Sequence, residues 1–465
     1  MSDRRCRRLW AGVSEPSFCA ANQTISMKML PWIVTLMLAS SLGQAAAVKD
    51  REGAVRGDKA AMENDARWIY NDVDRGFAEA KKTGKPLLVV LRCVPCLSCV
   101  GLDAEVLKEP ALVPLLDQFV CVRLINANAI DLARFQFDYD LSFSTLFFNA
   151  DGTVYGRYGS WVHQADPDAK ETIGYRRALE GALALHRGYP ENGFSLAGKQ
   201  GAPTPFRTPV EIPALAEKYG RELNWNGKVV QSCVHCHQVG EAFRSYYRTK
   251  GEKVPLERIY PLPAAEMVGL SLAPDKAATI AAVGSGSLAA TAGFRTGDDL
   301  ISFGGQPLIS IADFSWVLHR AKEESSLAAV VKRSGGEVRL TLTLPAGWRM
   351  KSDISKRVGT WSMRAMAFGG LTLVDLDEVA RKERGIGADG LALFVKGMGQ
   401  FNQHATAKKA GFLKDDVLVA VNGFAARASE GEMIGRILQT TKIGEIVDVV
   451  VLRGRERVVL QLPMQ

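Results

Sequence analysis

Past residue 47 the chain has no apolar run approaching the about 20 residues that a membrane-spanning helix needs, so its body does not read as a bundle of such helices. It has no G-x-S-x-G or G-N-S-G-G context around any serine, and Gly284-Ser285-Gly286-Ser287 falls inside a segment assigned below to another module. It also lacks H-E-x-x-H and a phosphate-cradling glycine loop, and no Lys/Arg cluster is interleaved with aromatics. Serine and zinc peptidases, P-loop nucleotide hydrolases and nucleic-acid platforms are thereby excluded. Histidine is scarce: there are six, and His163, His186 and His319 stand alone.

At 465 residues the chain exceeds one ordinary core and predicts about three domains. Hydrophobic residues at 47% and charged residues at 23% fit a globular protein. Residues 1–47 read as a leader with its probable start at Met27: a basic Lys28, an apolar stretch from Met29 to Leu42, then Ala45-Ala46-Ala47 as a cleavage site. Export to the periplasm or cell envelope is the expectation, with an inner-membrane anchor if the leader stays uncleaved. The formal charge of +8 falls to about +5 without the leader, too diffuse for nucleic acid.

Six of the eight cysteines lie beyond the leader, five of them in two tight clusters. Spacing at C-x-x-C intervals in an exported protein points to redox chemistry, metal or haem rather than a disulfide framework.

Residues 71–188 alternate helix and strand after a 48–70 linker. Helices are expected at Asp74–Thr83, Cys96–Leu107, Leu132–Tyr139 and Glu171–Arg187, strands at Pro86–Leu91 and Phe119–Ile125, and a hairpin over Thr145–Tyr158 turning at Asp151-Gly152. This order resembles a thioredoxin fold. Arg92-Cys93-Val94-Pro95-Cys96 falls between strand and helix, where a thiol at a helix N-terminus is stabilised as thiolate. Cys93 is then the attacking sulfur and Cys96 the resolving one. Where thioredoxins carry a cis-proline, this chain reads Phe143-Ser144-Thr145-Leu146. Cys99 adds a third thiol, so Cys93, Cys96 and Cys99 could instead hold a soft metal such as Cu(I), or a merely stabilising disulfide. Cys121, inside an apolar strand, reads as core.

A linker is expected at 189–222, followed by a segment, 223–264, with little apolar periodicity that needs a cofactor or neighbours to fold. It carries Cys233-Val234-His235-Cys236-His237, which matches C-x-x-C-H. There two thioethers hold a c-type haem and His237 ligates its iron, so haem c is the expected cofactor. Met267, His404 and Met350 are candidate sixth ligands. A second dithiol, or a zinc site using Cys233, Cys236 and His237 or His235, remains open.

Two repeats follow: Ala292-Gly293-Phe294-Arg295-Thr296-Gly297-Asp298-Asp299-Leu300 and Ala410-Gly411-Phe412-Leu413-Lys414-Asp415-Asp416-Val417-Leu418. Each closes with a helix, Ile311 to Lys322 and Glu430 to Thr440, and two strands. With the strand-end loops Gly269-Leu270-Ser271-Leu272 and Gly370-Leu371-Thr372-Leu373, they resemble bacterial PDZ domains over 265–346 and 362–465, the second with an insertion from Asp375 to Asp389. That resemblance implies half-open β-barrels that add a peptide strand to an edge and capture a C-terminal carboxylate near Gly269, Leu270, Ser271 and Leu272. Trp348 and Trp361 read as packing anchors.

The mature chain as a whole resembles the bacterial thioredoxin-like/PDZ domain-containing (seleno)proteins. The likeness rests on Cys93-Val94-Pro95-Cys96-Leu97-Ser98-Cys99, the Asp151 to Gly159 hairpin, Cys233 to His237, and Ile311-Ala312-Asp313-Phe314. It implies a multidomain α/β and β architecture: a thioredoxin-like fold followed by two PDZ-type barrels. Two functions stay open. One is an exported thiol-redox or electron-transfer protein whose PDZ domains recruit protein partners; the other is a non-enzymatic periplasmic scaffold binding peptide C-termini.

Overall fold

The computed structural model describes residues 50–94, 107, 109–159 and 172–465. The leader and the expected helix at Cys96–Leu107, apart from Leu107 itself, lie outside the described residues, as do Cys96, Cys99 and His163.

A five-stranded sheet organises the first part, in the order β1-β3-β2-β4-β5. Its strands are β1 (Trp68–Tyr70), β2 (Leu87–Arg92), β3 (Val120–Leu124), β4 (Phe143–Phe148) and β5 (Val154–Tyr158). β1 and β2 run parallel to β3, while β4 runs antiparallel to both β2 and β5. The run Leu87-Leu88-Val89-Val90-Leu91 is buried throughout because β2 is central and covered on both faces. Its side chains alternate between two cores, Leu88 and Val90 in one, Leu87, Val89 and Leu91 in the other.

Helix α1 (Arg51–Glu63) and β1 replace the expected 48–70 linker. Val55 anchors α1 on the core, and Tyr70 Oη donates to Asp58 at 3.0 Å. Helix α2 (Val73–Thr83) starts where the Asp72 carboxylate accepts from Arg75 N at 2.9 Å and ends at left-handed Gly84. Gly76 lets it approach β3, since a Cβ there would lie 2.4 Å from Val122 Cγ2. The turn at Asp151-Gly152 forms as expected between β4 and β5. The expected helix at Leu132–Tyr139 does not form. Asp131 Oδ1 accepts the Ala133 and Arg134 amides at 2.9 and 3.1 Å, closing a local turn that competes with helix propagation.

Helix α3 (Thr172–Arg187) covers one sheet face with Tyr175, Ala178, Leu179, Ala182 and Leu183. Part of the opposite face is covered by α4 (Cys236–Thr249), whose Val239, Ala242 and Phe243 share the core of Leu87, Val89 and Leu91. The C-x-x-C-H segment thus folds by completing the thioredoxin-like layer. Residues 189–222 are not a loose linker either, because Leu196, Lys199, Ile212 and Leu215 are buried.

The second part holds a ribbon, β6 (Leu270–Leu272) with β7 (Ile280–Val283), and a sheet in the order β11-β10-β8-β9. The latter comprises β8 (Asp299–Phe303), β9 (Gln306–Pro307), β10 (Ser325–Arg333) and β11 (Gly336–Leu344), with α5 (Ile311–Arg320) packed on it. The repeat that follows is one sheet, β12 (Leu371–Asp375), β13 (Leu393–Met398), β14 (Val417–Val421), β15 (Ile446–Arg453) and β16 (Glu456–Pro463), in sequential order. Helix α6 (Thr360–Phe368) precedes this sheet, α7 (Glu378–Glu383) occupies the insertion and α8 (Glu430–Thr440) lies before β15.

The repeats share an ion pair that closes the turn after the Ala-Gly pair. Asp298 takes Arg333 Nε and Nη2 at 2.7 Å each and the Arg295 amide at 2.9 Å, and Arg333 Nη2 also donates to Gly293 O at 2.8 Å. Asp416 does the same with Arg453, at 2.8 Å for both bonds, with the Leu413 amide at 2.9 Å and Gly411 O at 2.9 Å. Asp415 stands in the left-handed position of Gly297, with φ of 73° and 87° respectively.

The first repeat and the segment leading into the second are fixed to the first part by buried charge. Asp313 of α5 pairs with Lys199 Nζ at 2.7 Å and accepts the Arg157 and Ile309 amides at 3.1 Å each. Arg157 stacks 3.6 Å over the Trp316 ring. Arg357 reaches Asp138 at 2.5 Å and Asp140 at 3.0 Å, and Asp140 also accepts the Gly359 amide at 2.9 Å. Trp348 is a buried anchor as expected, whereas Trp361 is exposed and stacks on His404.

Removing one partner of such a pair leaves an uncompensated buried ion. Asp313→Ala therefore lowers the unfolding free energy by about 3–5 kcal/mol; urea denaturation of the full chain checks this, and a loss below about 1 kcal/mol contradicts the anchoring role.

Candidate thiol site

β2 delivers Cys93. Arg92 pairs with Phe143 of β4, and the Cys93 amide donates to Ser142 O at 3.0 Å. Ser142 and Phe143 thus stand beside this thiol, where a thioredoxin would place its cis-proline.

The C-x-x-C-H segment is delivered to the same point. Asn128, fully buried in the loop after β3, accepts the Val234 amide at 2.7 Å and donates to Ser232 O at 2.8 Å and Gly220 O at 2.7 Å. Glu52 of α1 accepts the Val229 and Val230 amides at 3.0 Å each. His235 precedes α4, and its amide donates to Gln238 Oε1 at 2.8 Å; Gln238 is in turn bonded to Tyr219 Oη. These clamps place His235 Nδ1 3.3 Å from Cys93 Sγ, across 142 residues of sequence. Imidazole and thiol at that separation can exchange a proton.

Cys233 and Cys236 flank His235. Together with Cys93, Leu91, Leu124, Ile125 and Ala127 they line a cavity of about 10 Å³, space for roughly one water. Burial pushes the Cys233 thiol up to about 11. Cys236 is raised further, first by burial and then by the negative charge that Cys93 and Cys233 would carry. Both residues keep a partly exposed rim, and both are free thiols. Cys121 is buried in β3, its thiol pushed up to about 12 by burial, as a core residue should be.

This arrangement does not fit a covalent haem. The cavity that both residues line holds about one water, not a macrocycle. Cys236 packs into the core of the sheet, and Cys233 Sγ donates to Ile125 O at 3.6 Å. None of the expected sixth ligands lines it: Met267 packs in the core of the first repeat, Met350 against that of the second, and His404 stacks on Trp361 at 4.3 Å. His237 sits 5.8 Å from the His235 ring. Among the described residues no group of three His, Cys, Asp or Glu side chains is disposed to hold a metal ion. His186 and His319 lie outside the site. The former bonds Tyr155 Oη at 2.9 Å, and the latter is half-buried near Arg349, Arg258 and Arg320, with desolvation and those charges holding it well below the usual histidine range.

The two repeats present unequal grooves. In the first, Leu270 and Leu272 are buried, Ser271 is exposed, and left-handed Gly269 bonds Glu266 O and the Gly284 amide. Leu272, Met267, Ile311, Ala312 and Ser315 line one side of a cavity of about 530 Å³ beside β6, whose other side is formed by Asp138, Gly159, Ser352, Ile354 and Arg357. In the second, α6 packs on both β12 and α8, burying Met363, Met366, Ala367 and Phe368 among Leu371, Leu373, Met433, Ile434 and Ile437. Glu430 Oε1 accepts the Leu373 amide at 2.8 Å and pairs with Arg364. The space between β12 and α8 is therefore already filled by α6.

Residues 68–150 match a family of thioredoxin-like proteins, so this portion is a thioredoxin-like domain. Among solved structures, the HtrA-type protease AlgW with tripeptide is 16% identical over 30% of this chain and 53% of its own, with a TM-score of 0.20. The same protease with decapeptide is 16% identical over 30% and 49%, also at 0.20. This chain thus spans about half the length of those structures. No curated protein matches it.

His235 and Asn128 are positions of this site that sequence patterning passed over, the first noted only as a spare zinc ligand. Cys233 is expected to be nearly inert to iodoacetamide at pH 7, where roughly one thiol in 10⁴ is ionised, and to gain about tenfold in rate per pH unit up to about 11. Mass-spectrometric alkylation profiles check this; a rate that levels off below pH 8 contradicts it.

Proposed function

We propose that this chain is a thiol–disulfide exchange protein of the bacterial cell envelope, brought to its clients by the peptide groove of its first repeat. The observation that carries the reading is the 3.3 Å contact between Cys93 Sγ and His235 Nδ1 at the end of β2 in a thioredoxin-like domain. His235 takes the thiol proton, and the Cys93 thiolate attacks a client disulfide, expelling one client thiolate and forming a mixed disulfide. A second thiolate then attacks Cys93 Sγ and frees the client; the C-x-x-C spacing offers Cys96 for this step, and the fold brings Cys233 and Cys236 to the same cavity as Cys93. The leader at 27–47 supplies export to a compartment where protein disulfides are abundant.

The adaptor role belongs to the first repeat. β6 pairs with β7 along one edge, and the cavity bounded by Leu272 and Ile311 runs beside it. An extended peptide added there gains main-chain bonds, and the apolar lining selects its side chains. Its terminal carboxylate would sit near Gly269 and Leu270. A pure scaffold with idle cysteines is the competing reading, and the 530 Å³ groove alone would serve it equally.

Insulin reduction driven by dithiothreitol separates the two. His235→Ala lowers the rate at pH 7 by about tenfold or more, and Cys93→Ser abolishes it. Met267→Glu, at a half-buried position of the same cavity, leaves Cys93 alkylation unchanged while weakening binding of C-terminal peptides. Full insulin reduction by Cys93→Ser would sink the redox reading and leave the scaffold.

A further inference from the structure

Resting on the redox reading of Cys93, we propose that Cys233 and Cys236 form a second, internal dithiol that reduces Cys93 after it has engaged a client. Electrons would thus pass between two C-x-x-C sites within one chain.

Three observations converge on this. Cys93, Cys233 and Cys236 line one small cavity, with His235 between the two cysteines of the pair and bonded to the third. The clamps from Asn128, Glu52 and Gln238 hold the segment rigidly at that point, although nothing in its own sequence would fold it there. Neither residue is tied up in a disulfide, so the pair is available for exchange.

The chemistry balances without a further reagent. A client disulfide is opened by the Cys93 thiolate, which releases the first client thiol and leaves a Cys93–client mixed disulfide. Cys236, its proton passed to the His235 imidazole, attacks Cys93 Sγ; the Cys93–client bond breaks, a Cys93–Cys236 bond forms, and the second client thiolate leaves and is protonated. Cys233 then attacks Cys236 Sγ, closing a Cys233–Cys236 disulfide and returning Cys93 as a thiol. The client gains two electrons, and the Cys233/Cys236 pair loses two. Burial keeps the internal pair poorly ionised, so it exchanges faster through the adjoining Cys93 than directly.

The test uses the reduced full chain with Cys96→Ser and Cys99→Ser, which removes competing thiols, and glutathione disulfide as the oxidant. After alkylation, the disulfides are mapped by mass spectrometry. Cys233 and Cys236 are expected to become linked with release of two glutathione thiols. Adding Cys93→Ser should slow this by about tenfold or more, and adding Cys233→Ser should accumulate a Cys93–Cys236 bond. A stable Cys93–glutathione adduct with Cys233 and Cys236 still alkylated overturns the relay while leaving the redox reading intact. Equal oxidation of the pair without Cys93 also overturns the relay. A Cys93 that forms no adduct in any background overturns both.

Discussion

The open face of the thioredoxin-like sheet has to be covered, and α4 does much of that covering. β2 is apolar on both sides, and α3 shields only the side of Leu88 and Val90. Val239, Ala242 and Phe243 of α4 join the other side, where a fully buried phenylalanine alone contributes about 1.5–3 kcal/mol. Once α4 lies there, its first turn must end beside the end of β2. The meeting of His235 with Cys93 is thus a consequence of hydrophobic packing, and the clamps on residues 229–235 refine its register.

The other end of α4 serves a different purpose. Arg244 donates to Gly359 O at 3.2 Å, and Arg248 reaches Gln465 O at 2.9 Å, tying the second repeat to the same helix. Buried pairs such as Asp313–Lys199 and Arg357–Asp138 add little net stability, because desolvation offsets attraction. What they supply is a unique docking of repeat on domain, since any other docking strands an ion. The groove of the second repeat is filled by α6, whereas that of the first borders a cavity.

Much of this was legible in the chain. The run Leu87 to Leu91, the Asp151-Gly152 turn, Cys93 at a strand end and the paired Ala-Gly repeats each carry their signal within a few residues, where local physics writes it. Residues 132–139 misled because an aspartate at the start of an apolar stretch favours a turn as readily as a helix. The stretches expected as linkers, 48–70 and 189–222, proved structural because a single buried contact, such as Lys199 with Asp313, lies 114 residues away. The Cys93–His235 pairing is a tertiary fact of the same kind. C-x-x-C-H read alone suggested haem, and only the sheet beneath it shows how little space is there.

The claim on which the rest depends is that α4 belongs to the thioredoxin-like core without any cofactor. Hydrogen–deuterium exchange on the full chain, purified free of haem, tests it most directly. The account predicts that the amides of Val239 to Phe243 exchange as slowly as those of β2, within about tenfold, because both open only when the domain unfolds. Exchange of those amides at the rate of an unprotected helix, with β2 still protected, would contradict it.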